Sequence, residues 1–329
     1  MKAFEYASPK ALQQALGLLG ANWGDTEILA GGTDLLSLMK DDIVAPRRVV
    51  NIKDVPGMHA LSVEGKGMRL GALVTLGTLM DAAMVRERYP ALAQAVEEAA
   101  SPQIRNMATL GGNLCQRPRC WYFRNGLGLL AQREGKSLVL EGDNRYHAIL
   151  GNEGPAYFVS PSTIAPMLIA YGAQVRIEGA GGPRTIPLEK FYVIPQSEDQ
   201  REHDLKPNEI VTHVVLPPAA GVHAASYEVR QKEAFDWPYC TAAAALTMSG
   251  STVKSARVVM GAVAPIPWVS EEAAQAVVGK ELDERTASAA GAAAVSKARA
   301  LSQNGYKIKL AGVAVKRALL AAAGKGGAA

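Results

Sequence analysis

Glu27-Ile28-Leu29-Ala30-Gly31-Gly32-Thr33-Asp34-Leu35 is a short apolar run that ends in two adjacent glycines, a hydroxyl and a carboxylate. Glu27 to Ala30 reads as a strand, and Leu35, Leu36, Leu38 and Met39 follow as a short helix capped by Thr33 or Asp34. A second pair of glycines stands in Thr109-Leu110-Gly111-Gly112-Asn113, again at the end of an apolar segment. Adjacent glycines let backbone N–H groups point into one concavity, and such a nest binds anions. Lacking side chains, they also let a pyrophosphate come close, and a helix beginning at Thr33 adds the positive end of its dipole. Taken singly, each pair reads first as a tight turn. Two pairs with hydroxyl and amide neighbours point to a cofactor.

Outward from these loops the chain reads as mixed helix and strand. Ser8 as N-cap and Pro9 at the first helical position open a helix carrying Leu12, Ala15, Leu16, Leu18 and Leu19. Val49 to Ile52 is a strand. A second unit starts near Gly67, with a strand at Met68 to Ala72, a helix capped by Thr75 and running to Met84, and a helix over Pro90 to Ala100. Residues 115 to 155 are polar and irregular in pattern. Ser162 caps an apolar helix to Tyr171, and Ala173 to Ile177 is a strand before a turn-rich link at Gly179 to Pro183. Past residue 220, strand-like runs at His223 to Arg230, Tyr239 to Met248 and Val253 to Val263 precede three Ala-rich helices. These are Ser270 to Val278, Asp283 to Ala300 and Lys307 to Ala323. Strands followed by helices predict a separate α+β domain. Gly324 to Ala329 is expected to fray.

A length of 329 residues suits about two domains, and 48% hydrophobic with 20% charged residues is enough to bury a core without staples. The net charge is +4 with no long basic block, and the nearest cluster, Arg117 to Arg124, reads as a basic loop on a folded surface. Nucleic acid is not an expected partner. Three cysteines, Cys115, Cys120 and Cys240, do not make a disulfide framework. The opening Met-Lys-Ala-Phe-Glu-Tyr lacks the apolar stretch of a secretory signal, and no run of about 18 apolar residues spans a membrane. The expected compartment is the cytoplasm, with export alongside a signal-bearing partner left open.

Several patterns imitate known sites. Gly126-Leu127-Gly128-Leu129-Leu130-Ala131 fits the dinucleotide pattern, but Gly135 follows too soon for a crossover helix. Gly135-Lys136-Ser137 resembles the end of a P-loop, yet the position that needs its first glycine is Leu130. Cys115 and Cys120 have a C-x4-C spacing without partner cysteines, so free thiols are expected. The five histidines show no metal-ligand spacing. Asp236-Trp237-Pro238, just after Lys232, places an aromatic that could cover a ring beside charges.

The order of motifs is specific. It runs Phe4-x-Tyr6-x-x-Pro9, then Leu29-Ala30-Gly31-Gly32-Thr33-Asp34-Leu35, then Leu70-Gly71-Ala72-x-x-Thr75. Next comes Ile104-Arg105-Asn106-x-Ala108-Thr109-Leu110-Gly111-Gly112-Asn113-Leu114. Over essentially its whole length the chain resembles the FAD-binding middle subunit of the xanthine dehydrogenase, aldehyde oxidoreductase and carbon monoxide dehydrogenase family of molybdenum hydroxylases. The resemblance implies an α+β fold. Residues 1–218 would be an FAD-binding domain of the p-cresol methylhydroxylase type, with two α+β subdomains at about 1–55 and 56–218. Residues 219–329 would be a small sheet-plus-helices C-terminal domain.

By the same resemblance, FAD is the cofactor. Ala30, Gly31, Gly32, Thr33, Asp34 and Leu35 with Thr109, Leu110, Gly111, Gly112 and Asn113 would hold its pyrophosphate, and Leu29 and Ala108 would belong to the same cofactor site. Gly71, Ala72 and Thr75 would line its channel, and Trp237 would lie beside the flavin ring with Lys232 and Asp236 in the same connection. Thr163 stands where family members carry Asp, so one cofactor contact is altered. The insertion at about 115–157 is similar to that of periplasmic aldehyde oxidoreductases. It opens Asn113-Leu114-Cys115-Gln116-Arg117-x-Arg119-Cys120 and continues to Asn144-Arg145-Tyr146-His147-Ala148-Ile149-Leu150-Gly151. In that branch the loop holds a [4Fe–4S] cluster on four cysteines. Only Cys120 matches one of them here, so no iron–sulfur cluster is expected in this chain, and the loop is expected to serve as a subunit interface.

The implied partners are a large subunit with the molybdenum cofactor and a small [2Fe–2S] subunit. The implied role is an oxidoreductase subunit that passes electrons to an external acceptor, with no catalytic acid–base residue and no metal ligand of its own. Two alternatives stand beside it: a stand-alone flavin reductase of the same fold, and a structural subunit without FAD.

Overall fold

Glu5–Ala7 (β1), Thr26–Leu29 (β2) and Arg48–Asn51 (β3) form a parallel sheet in the order β1-β3-β2 in the computed structural model, which describes residues 1–232 and 235–325. Parallel neighbours need crossovers, and the helices Leu12–Gly17 and Leu35–Lys40 supply them. Val49 and Val50 are buried in the central strand. The first helix starts later than the Ser8-Pro9 reading, at Leu12, with no side-chain cap. The reason is pairing. β1 stays extended against β3, and the Ser8 hydroxyl accepts from Asn51 Nδ2 at 3.0 Å instead of capping a helix.

Leu61–Glu64 (β4) and Gly67–Gly71 (β5) make an antiparallel pair. The insertion carries its own small hairpin, Gln132–Arg133 (β6) with Lys136–Ser137 (β7). Gln174–Gly179 (β8), Arg184–Pro187 (β9) and Glu209–Leu216 (β10) complete a sheet in the order β4-β5-β10-β8-β9. The strands β4, β9 and β10 are not anticipated by the sequence reading. Ser101 and Thr109 cap the helices Pro102–Met107 and Leu110–Cys115, accepting from Ile104 and Gly112 N–H respectively. Thr109 thereby starts a helix at the second glycine pair.

The C-terminal sheet is antiparallel, with Val222–Val229 (β11), Cys240–Ser249 (β12), Thr252–Gly261 (β13) and Trp268–Val269 (β14) in sequence order. Ala242 to Ala245 on β12 are all buried, and small side chains let helices pack close. The helices Glu284–Ala294 and Tyr306–Ala322 approach to backbone contact, since a Cβ on Gly291 would lie 2.3 Å from the Gly312 carbonyl oxygen. The tail begins later than expected: Gly324 and Lys325 N–H donate to Ala321 and Leu320 carbonyls at 3.0 and 2.9 Å. The rest of the predicted frayed tail, 326–329, lies outside the described residues.

The insertion is not an irregular polar loop. Phe123, Leu129 and Leu130 form a small core with Leu38, Ala156 and Phe158, while Ile149 and Leu150 join the C-terminal core. The Gly126 to Ala131 segment does form an anion cradle, but for a side chain: Glu198 accepts from Leu129 and Leu130 N–H at 2.7 and 2.8 Å. A buried polar seam ties the insertion to the C-terminal helices. Asn304 Nδ2 donates to the His147 and Ala148 carbonyls. Lys307, 1% exposed, donates to the carbonyls of Tyr146, His147 and Ala262 at 3.0, 3.0 and 2.7 Å. Lys307→Met leaves three buried or part-buried carbonyls without that donor, so urea denaturation is expected to show a loss of roughly 3 kcal/mol. Unchanged stability would mean water replaces the ammonium at no cost.

Candidate functional site

The two glycine pairs meet in space, and their four members do different jobs. A Cβ on Gly31 would fall 1.9 Å from the Met107 carbonyl oxygen, so the loops touch backbone to backbone. A Cβ on Gly111 would lie 2.9 Å from Ala72 Cβ. Gly32 holds φ +76°, the left-handed region that favours glycine. At Gly112 a Cβ would meet only the Thr109 hydroxyl, at 2.9 Å.

Around this junction lies a cavity of about 510 Å³. Ala30, Gly31, Gly32, Thr33, Asp34, Leu35, Ala72, Ala108, Thr109, Gly111, Gly112, Asn113, Thr163, Asp236 and Trp237 all line it. Leu29, Gly71, Thr75 and Lys232 do not. Leu29 packs beneath Gly32. Gly71 lets β5 pass Met58, whose carbonyl oxygen would lie 2.2 Å from a Cβ. Thr75 caps the helix Leu76–Asp81, accepting from Thr78 N–H at 3.1 Å. Lys232 is exposed. Phe235, not anticipated, also lines the cavity, and it and Trp237 are 72% and 50% exposed.

The donors are divided unevenly between the loops. Among the described residues, nothing accepts a hydrogen bond from the backbone N–H of Gly31, Gly32, Thr33 or Asp34. The second loop has its N–H groups engaged: Gly111 with Ala72 O, Gly112 with Thr109 Oγ1 and Asn113 with Thr109 O, at 2.8, 3.1 and 2.8 Å. Its side chains form a separate chain. Ser162 Oγ donates to Asn113 Oδ1 at 2.8 Å, and Asn113 Nδ2 donates to Thr163 Oγ1 at 3.3 Å.

Asp34 is occupied as an anchor. Its carboxylate accepts from Arg117 N–H at 2.8 Å and Arg124 Nη2 at 2.7 Å, and it pairs with Arg119 Nη2 at 3.1 Å. The expected surface loop at Arg117 to Arg124 is therefore wall, with the Arg117 and Arg124 side chains only 14% and 16% exposed. Asp34 and Glu202 hold the chain folded back here; Glu202 takes Arg117 Nε at 2.8 Å. A second cavity of about 320 Å³ adjoins the first and shares Arg119, Thr163, Asp236, Trp237 and Pro238 with it. The Arg119 guanidinium sits 5.2 Å over the Trp237 ring between them.

Other wall residues escape a sequence reading. Glu27 pairs with Arg201 at 3.1 Å, and Arg201 stacks 4.5 Å from the Trp23 ring. Glu98 and Glu228 also line the cavity. Burial pushes the Glu228 carboxyl up to about 7, Glu98 adds to the rise, and Arg230 opposes it. Folded protein then holds a proton that the unfolded chain releases from about pH 4.3 upward. Stability from this group falls as pH rises from there to about 7 and is level beyond. Glu228→Gln is expected to remove that fall. Urea midpoints of both proteins at about pH 5 and about pH 8 measure it, and an equal pH dependence in the two would exclude Glu228.

The cysteines part company. Cys115 lines the first cavity and Cys120 the second, where its sulfur lies 3.2 Å from His147 Nε2. Burial pushes the Cys115 thiol up to about 12 and raises Cys120 as well, so both rest as thiols and neither is an activated nucleophile. Among the described residues no group of three or more His, Cys, Asp or Glu is placed to hold a metal ion. No helix among them is long and apolar enough to cross a membrane.

Taken together, free N–H donors beside a cavity and open space at Gly112 fit a dinucleotide with a buried diphosphate, such as FAD. Residues 2–219 match the family model described as the FAD binding domain in molybdopterin dehydrogenase. Residues 225–322 match the CO dehydrogenase flavoprotein C-terminal domain. The chain is 29% identical to the carbon monoxide dehydrogenase medium chain of Hydrogenophaga pseudoflava, over 97% of this chain and 96% of that one. It is 34% identical to the aldehyde oxidoreductase FAD-binding subunit of Escherichia coli, over 83% and 85% respectively. Among solved structures, a carbon monoxide dehydrogenase from Hydrogenophaga pseudoflava superposes with a TM-score of 0.77 at 29% identity, covering 99% of both chains.

Proposed function

The chain belongs to the family of the FAD binding domain in molybdopterin dehydrogenase, and from that premise we propose that it is the electron-transfer subunit of a molybdenum-dependent hydroxylase or dehydrogenase. It is an oxidoreductase subunit with FAD as its cofactor. In the proposed assembly a large subunit with the molybdenum cofactor oxidises the substrate and a small [2Fe–2S] subunit relays the electrons. This chain passes them to an external acceptor. We place the complex in the cytoplasm. The proposed division is 1–218 for the FAD-binding domain, with subdomains at about 1–55 and 56–218, and 219–329 for the C-terminal domain.

The observation that carries the reading is that Gly31 to Asp34, whose backbone N–H groups have no acceptor among the described residues, line the same cavity as Gly112. FAD, when bound, would supply the redox chemistry. The protein's residues bind and orient it. N–H groups of the first loop would donate to the diphosphate, and Gly112 would admit it to the second loop. Asn113 is held in orientation by Ser162 and Thr163. Asp236 and Trp237 supply the wall on the C-terminal side. Asp34 contributes by fixing the Arg117–Arg124 segment.

The reading is tested on the purified full-length chain and on its complex. Expected are a flavin absorption spectrum, release of FAD on denaturation, and co-purification of two further subunits carrying molybdenum and iron. A folded chain that takes up no added FAD would overturn it in favour of a structural subunit. A flavin-loaded chain that turns over alone would point to a stand-alone reductase.

A further inference from the structure

We propose that Arg119 is the cation that neutralises the diphosphate of FAD, an inference that rests on the FAD reading above. None of the sequence motifs assigns it, because it lies in the insertion.

A diphosphate brought into a cavity carries negative charge that hydrogen bonds from neutral N–H groups do not cancel, and buried charge requires a counter-charge. Arg117, Arg119 and Arg201 are the arginines that line the cavity. Two of them are matched one to one: Arg117 by Glu202 at 2.8 Å and Arg201 by Glu27 at 3.1 Å. Arg119 has only a share of Asp34, which Arg124 holds at 2.7 Å against 3.1 Å for Arg119. Within their ion pairs Arg117, Arg119 and Arg124 thus face Asp34 and Glu202, three positive groups against two negative; Asp236, which also lines the cavity, forms no ion pair with them among the described residues. Arg119 is the one that can supply the counter-charge. Its side chain is 31% exposed against 16% for Arg124, and its buried Nε has no partner among the described residues.

Position agrees with charge. Arg119 Nη2 reaches Asp34, which follows the first glycine pair, and Gln116, which follows the helix bearing the second, at 3.1 and 3.0 Å. It therefore stands between the two loops. It also borders both cavities, with the Trp237 ring on its other side. Turning from Trp237 and Asp34 towards the glycine loops breaks no buried one-to-one ion pair.

The test compares ligands with and without the diphosphate on the full-length, deflavinated chain. FAD, ADP and riboflavin are titrated against wild type, Arg119→Gln and Arg119→Lys, following flavin fluorescence or, for ADP, displacement of FAD. Arg119→Gln is expected to weaken FAD and ADP by about 10- to 100-fold, the range of a lost charge-assisted hydrogen bond. Riboflavin binding should be unchanged, and Arg119→Lys should recover part of the loss. Arg119→Gln should also bind FAD with a weaker dependence on salt. Two outcomes overturn the proposal: FAD affinity equal to wild type, or an equal loss for riboflavin, which would mean the cavity wall has deformed. Wild-type protein that binds none of the three overturns the FAD reading together with it. Should Arg119→Gln fail to fold, the Lys variant carries the same ligand comparison.

Discussion

Gly112→Leu is expected to abolish FAD retention while leaving the fold standing. A Cβ at this position meets nothing but the Thr109 hydroxyl, at 2.9 Å, and the rest of the side chain projects into the cavity. Thr109 caps a single six-residue helix, so disturbing that cap costs about 1 kcal/mol. Filling the space where the diphosphate approaches excludes the ligand sterically, and an affinity loss of at least about 100-fold follows, equivalent to roughly 2.7 kcal/mol. Flavin absorbance after desalting reads the first effect. Thermal melting of the flavin-free protein reads the second. A variant that keeps its flavin would show that the second glycine pair serves only the turn and would shift the binding site away from the loop junction.

A smaller side chain added one loop away is expected to act on folding instead. At Gly31 an added Cβ falls 1.9 Å from the Met107 carbonyl oxygen, 2.8 Å from its carbonyl carbon and 3.2 Å from the Ala108 Cα. These are backbone atoms, with no rotamer to turn aside. Leu110 and Leu76 N–H donate to the Val74 and Ala108 carbonyls at 2.8 Å, so the opposing strand of chain is itself held in place. Gly31→Ala must therefore separate the parallel sheet's loop from the second one, at a cost of roughly 3 kcal/mol or more. Urea denaturation of the flavin-free chain checks it. Stability equal to wild type would mean the two loops part freely, and the close approach would then not be what requires glycine there.

These two substitutions show where a sequence reading stops. Both glycine pairs are visible as motifs, and both reach the cavity. Nothing in Gly31-Gly32 or Gly111-Gly112 tells which member faces the ligand and which faces another loop. Thr75 and Gly71 look like part of the same constellation, yet one is a helix cap and the other a clearance for Met58. Short-range signals were legible for a physical reason. Caps at Thr75, Ser270 and Asp283 act on N–H groups within three residues, so the local sequence contains all their partners. Ser8 fails as a cap because a strand more than forty residues away claims its hydroxyl, through Asn51.

By itself the sequence determined the presence of two glycine-rich loops, an Ala-rich C-terminal domain whose small residues permit close helix packing, and the absence of a workable P-loop. These follow from backbone freedom and side-chain volume, which belong to a residue wherever it lies. Only the tertiary structure decided that Arg119 stands between the loops, that Asp34 binds arginines, that Glu198 fills the cradle of the Gly126 to Ala131 segment, and that Glu228, Arg201 and Trp23 wall the cavity. Charge compensation and clearance act between atoms a few ångströms apart, and here the segments that bring those atoms together are separated by dozens to more than a hundred residues.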